Sequence, residues 1–128
     1  MKRRVLAFLL LFITATTVYA ELRDYSLTRS DGSNLHYYLS AGTKPNTDTL
    51  LLILQGSDCN SVTRIDSIFT DYRNVWPEAD LLLVEKYGID RQLSYSSDAE
   101  RQDCPQAYLK GDSPRQRVAD IRQVLDQI

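Results

Sequence analysis

Aliphatic residues fall along this chain in short runs and stripes, with polar turns between them. The longest unbroken run is Leu50 to Leu54, followed at once by Gln55-Gly56-Ser57-Asp58-Cys59-Asn60-Ser61. Five consecutive aliphatics suit a strand buried on both faces, so the run predicts a central strand of an α/β sheet. The polar turn then lies at the strand's carboxyl end, where open α/β sheets place their ligands. Before it, Leu22, Tyr25 and Leu27 mark a short extended run. Ser30-Asp31-Gly32-Ser33-Asn34 is rich in turn formers, and Leu35 to Leu39 has strand composition, which predicts two antiparallel strands. The lone histidine, His36, reads as a residue of the second strand.

Downstream of the turn, Val62, Ile65, Ile68, Phe69 and Tyr72 recur at helical spacing until Pro77 blocks continuation. Leu81-Leu82-Leu83-Val84 predicts a second buried strand, and a strand-helix-strand unit implies a parallel pair. Residues 85 to 112 read as one long polar loop, a length that often marks functional or mobile segments. Ser113-Pro114-Arg115-Gln116 then spells a capping box with proline at the first helical position. Val118, Ile121, Val124, Leu125 and Ile128 form the predicted apolar face of the final helix.

The amino terminus changes the picture of where the protein works. Lys2-Arg3-Arg4 precede an apolar stretch, Val5 to Ile13, that is too short to span a bilayer, and Val18 and Ala20 provide small residues before a cleavage site. Residues 1–20 are therefore expected to be a signal peptide cleaved after Ala20, leaving one exported domain over 21–128 and no stable membrane span; an uncleaved anchor is the alternative. Removing the three basic leader residues takes Lys+Arg from 15 to 12 against 17 acidic residues, so the net charge moves from -2 to -5. That charge argues against a nucleic-acid partner. Export to the periplasm or medium also places Cys59 and Cys104 in an oxidising compartment, where a disulfide is preferred over two free thiols. Nothing in the chain calls for a cofactor or a metal ion.

Taken in order, two antiparallel strands, a buried strand ending in Gln55-Gly56-Ser57, a helix, a buried strand, a long loop and a capped helix resemble the first half of an α/β-hydrolase. Gln55-Gly56-Ser57-Asp58-Cys59, Val84-Glu85-Lys86-Tyr87-Gly88 and Cys104-Pro105 also look like a group of exported bacterial hydrolase-like proteins. The resemblance implies a partial α/β-hydrolase sheet, with an antiparallel hairpin, then parallel strands with crossover helices, truncated before the nucleophile elbow. It also implies that the backbone N–H groups of Gly56 and Ser57 are oxyanion-hole candidates, acting on a small-molecule ester or amide in a complete protein. In the family's strand order the third strand lies between the fourth and the fifth, so Leu50 to Leu54 would stand at an open edge if the fifth were absent.

No G-x-S-x-G occurs in the 128 residues; the nearest approach, Gly111-Asp112-Ser113-Pro114-Arg115, reads better as a helix cap. No catalytic side chain is therefore assigned. Two other readings stand beside the hydrolase fragment. One is a small exported binding domain stapled by Cys59 and Cys104. The other is a cysteine enzyme using Cys59, which the position of His36 before the central strand disfavours.

Overall fold

The computed structural model describes residues 21–64, 71–98 and 100–128. Its first element is a hairpin: β1 (Arg23–Thr28) pairs antiparallel with β2 (Asn34–Ser40), with Leu27 opposite Leu35 and Ser26 opposite His36. The turn closes through Arg29 N–H to the Ser33 carbonyl at 2.8 Å and Gly32 N–H to the Arg29 carbonyl at 3.0 Å. Gly32 has φ +84, a left-handed conformation that glycine adopts without a Cβ clash. The turn-forming composition of residues 30–34 thus produces the hairpin it predicts.

Two further strands complete the sheet. β3 (Leu50–Ile53) runs parallel to β4 (Asp80–Val84), and β4 pairs antiparallel with β2. The strand order is β1-β2-β4-β3, so the protein is a mixed α/β fold, with a four-stranded mixed sheet and two helices among the described residues. The parallel pair follows the expectation from sequence. The position of Leu50 to Leu54 does not, because the run is an edge strand rather than a central one, and Leu54 lies beyond it, 64% exposed. Every residue of β3 is only half-buried, whereas Leu81, Leu82 and Leu83 of β4 are at most 1% exposed. A run of leucines records the wish for burial, but the neighbours decide how much each strand receives.

Side chains alternate across β4 into two cores. On one face Leu81 and Leu83 join Tyr38 and Val62, with Leu51 and Ile53 packed against them. On the other, Leu82 meets Leu35, Tyr37 and Val124, with Leu50 and Leu52 alongside. Burying each of these large side chains contributes about 1.5–3 kcal/mol. The stripe from Val62 to Tyr72 begins with a short 3-10 turn, Val62–Arg64; Ile65, Ile68 and Phe69 lie outside the described residues, and Tyr72 is exposed.

Residues 85 to 112, expected as one loop, contain helix α1 (Gln106–Gly111) directly before α2 (Pro114–Leu125). The cap of α2 is half of the expected box. Gln116 N–H donates to Ser113 Oγ at 3.1 Å, but the Gln116 side chain donates to Asp120 Oδ1 at 2.8 Å instead of reaching back. Gly111-Asp112-Ser113-Pro114-Arg115 is accordingly the α1–α2 junction and cap.

The apolar face of α2 is also narrower than its periodicity suggests. Val124 is fully buried, Ile121 partly so, and Val118, Leu125 and Ile128 are exposed. The face is anchored instead by an ion pair: Asp120 accepts from Arg29 Nε at 2.8 Å and Nη2 at 2.9 Å, and both residues are buried. Such a bidentate pair fixes the helix over the hairpin turn with more directional demand than leucine packing would impose.

Candidate functional site

Period-two alternation continues past the end of β4 and carries charge into both layers. Glu85 follows Leu81 and Leu83 onto the first face, where its carboxylate accepts from Tyr38 OH at 3.1 Å, from Val62 N–H at 3.1 Å and from Ser61 Oγ. It is almost fully buried, and that burial raises its pKa against the lowering effect of these donors. Glu85 thereby ties the end of β4 to the backbone that leaves the polar turn.

Lys86 points to the opposite face, beneath that turn. Its Nζ donates to the Gly56 carbonyl at 3.2 Å and to the Asp58 carbonyl, stands 3.6 Å from Asp58 Oδ1, and lies 5.5 Å from the centre of the Tyr108 ring. Burial lowers the lysine's pKa, with the Asp58 carboxylate opposing that shift. The two charged residues after β4 read in sequence as the start of a polar loop. Their burial was foreshadowed only by their place in the strand's alternation.

Two more side chains reach the same turn from the helices. Arg117 of α2 donates through Nη1 to the Gln55 carbonyl at 3.0 Å and to the Gly56 carbonyl at 3.4 Å, while its Nε and Nη2 hold Asp112 at 3.1 and 2.8 Å. Tyr108 of α1 donates its hydroxyl to the Ser57 carbonyl. Tyr108 comes this close because Gly88, at φ +72, lets α1 lie on the strand's exit: a Cβ there would meet Tyr108 N at 2.6 Å.

Four consecutive carbonyls, of residues 55 to 58, are thus held by side chains from the end of β4, from α1 and from α2. On the other side of the turn, Gly56 and Ser57 are exposed, and among the described residues their backbone N–H groups meet no protein acceptor. The far end of the turn is fixed by the disulfide between Cys59 and Cys104, with Cα atoms 5.8 Å apart. Asn60 reinforces it by exchanging hydrogen bonds with the Ser96 backbone, both at 2.9 Å, and by accepting from Arg101 at 2.9 Å. Residues 94 to 98 and 100 to 104 are therefore fastened to the turn.

Beside the turn, a cleft of about 280 Å³ lies between α2 and the ends of β3 and β4. Leu54, Val84, Pro114, Val118 and Ile121 supply its apolar wall; Gln55, Lys86 and Arg117 lie at its polar side. Gln55 donates to Asp58 Oδ1 at 2.8 Å, while its Oε1 is buried and has no hydrogen-bond partner among the described residues. The exposed Leu54 and Val118 thus find a shared place.

The structure therefore brings Gly56, Ser57, Cys59 and Cys104 together at one end of the sheet. His36 stays apart from them in β2, opposite Ser26. The residues that sequence reasoning missed are Glu85, Lys86, Tyr108 and Arg117. Among the described residues no group of three His, Cys, Asp or Glu side chains is placed to hold a metal ion, and no helix is long and apolar enough to cross a membrane. Comparison with family models, with curated proteins and with solved structures finds no match to this chain.

Proposed function

We propose that the chain is the amino-terminal portion of an exported α/β-hydrolase-like protein that cleaves an ester or amide of a small molecule. The observation that carries this reading is the turn after β3. It lies at the carboxyl end of a parallel pair, where Gly56 and Ser57 are exposed and, among the described residues, their N–H groups meet no protein acceptor. Support also comes from the order β1-β2-β4-β3, which leaves β3 at the edge where the family places its fifth strand.

In a complete enzyme of this kind a serine on a later elbow attacks the carbonyl carbon. The Ser57 N–H, together with one from the residue after the nucleophile, holds the negative charge that develops on oxygen. One such donor is worth about 3–4 kcal/mol in the transition state. The adjoining cleft would take the apolar part of the substrate, and export fits a chain with a disulfide.

The test is to read the gene beyond the codon for Ile128 and to assay purified residues 21–128 with a p-nitrophenyl ester. The expected results are a continuing frame that encodes G-x-S-x-G and no turnover by the fragment. Turnover abolished by Cys59→Ala or Ser113→Ala would refute the proposal. A stop codon followed by unrelated sequence would also refute it, in favour of a small disulfide-linked binding domain, a reading that the Cys59–Cys104 bond also accommodates.

A further inference from the structure

We propose that Lys86 and Arg117 are positioning residues that set the direction of the Gly56 and Ser57 amides, a role that rests on the hydrolase reading above. A trans peptide unit is planar, with its C=O and N–H pointing opposite ways. The Gln55 carbonyl shares its unit with the Gly56 N–H, and the Gly56 carbonyl with the Ser57 N–H. Arg117 holds the first carbonyl, and Lys86 and Arg117 both hold the second. Tyr108 and Lys86 hold the next two, of Ser57 and Asp58. Fixing the oxygens inward fixes the hydrogens outward, which is the orientation an anion needs.

At Gly56 the backbone does not itself hold that orientation. Gly56 is not in the left-handed region, and a Cβ added to it would meet nothing within 4 Å. Neither conformational restriction nor close packing therefore locks its two peptide units, and a glycine freed of its clamps can rotate them at little cost. The clamp is also charged. Donors from a buried ammonium and a guanidinium hold carbonyl oxygens more strongly than neutral donors do. The contacts on the Gln55 and Gly56 carbonyls come from the end of β4 and from α2, so the two amides acquire their direction only when α2 is docked.

The experiment uses the oxidised chain labelled with nitrogen-15, inorganic phosphate as the anion probe, and the variants Lys86→Met, Lys86→Arg and Arg117→Met. Residual dipolar couplings of the Gly56 and Ser57 N–H bonds report their direction without ligand. Phosphate titration reports what that direction achieves. In the parent, phosphate should shift the Gly56 and Ser57 resonances saturably. In Lys86→Met the couplings of these two amides should change while those of β2 and β4 stay the same, and phosphate should bind about tenfold more weakly, as expected when a hydrogen bond to a charged group is lost. Lys86→Arg should retain most of the parent's behaviour.

Unchanged Gly56 and Ser57 couplings in both Lys86→Met and Arg117→Met would overturn the clamp. If Lys86→Met disturbs β4 itself, Arg117→Met decides, since Arg117 holds both carbonyls from α2: altered Gly56 and Ser57 couplings support the clamp, and unaltered ones overturn it. Altered couplings in the variants with no phosphate response in the parent would support the clamp and overturn the hydrolase reading, so the two can fail separately.

Discussion

Reduction of the Cys59–Cys104 bond is the perturbation whose size follows most directly from the structure. The bond closes a loop of sequence separation 45, which includes β4 and the segment leading to α1. Holding the ends of such a loop together in the unfolded chain removes entropy worth about 4 kcal/mol at 25 °C. That is a large share of the roughly 5–15 kcal/mol by which a domain of this size is usually stable. Urea unfolding followed by fluorescence of Trp76 and the tyrosines, with and without a phosphine reductant, measures the loss. With a slope of about 1–3 kcal/mol per molar urea, the midpoint should fall by roughly 1 to 4 M. The double variant Cys59→Ala, Cys104→Ala should behave as the reduced protein does. Equal midpoints in oxidised and reduced samples, with both thiols shown free by alkylation after reduction, would refute the loop-closure argument. Two alkylatable thiols in non-reduced exported protein would remove the bond itself.

Asp120→Ala should cost about 3–5 kcal/mol, because it leaves the buried Arg29 guanidinium without its carboxylate; a urea midpoint within error of the parent would contradict the account of how α2 is anchored. Residues 21–128 should elute from a sizing column as more than a monomer, since β3 presents four aliphatics at an unpaired edge among the described residues. Leu52→Lys should reduce that association, and a monodisperse parent would sink the idea. The pH dependence of Glu85 has a definite sign. Burial raises its folded-state pKa above the ordinary 4.5, so its stabilising contribution is complete below that value and is lost as pH rises through the raised one. The stability of the parent relative to Glu85→Gln should therefore fall as pH rises from 4.5, and a constant difference between their urea midpoints would show the carboxylate to be unperturbed.

The local vocabulary of the chain was legible without the fold. Residues 30–34 carry the turn formers that close the hairpin, Leu81 to Val84 the unbroken run of a buried strand, and Ser113-Pro114 the start of α2; each signal depends on backbone preferences within a few residues. Pairing of Cys59 with Cys104 was legible because the chain offers just those two cysteines. Rank within the sheet was not legible in the composition; only the resemblance placed Leu50 to Leu54 at an edge. Leu50 to Ile53 are as aliphatic as β4 yet stand at the edge, since hydrophobicity measures a side chain's transfer from water and says nothing about which strands flank it. The polar interior was equally hidden. Glu85 and Lys86 look like the beginning of a loop, Asp120 and Arg29 are 91 positions apart, and Arg117 meets the Gln55 carbonyl across 62. A buried charge is tolerated only where partners from distant elements converge on it, and that convergence exists only once the chain has folded.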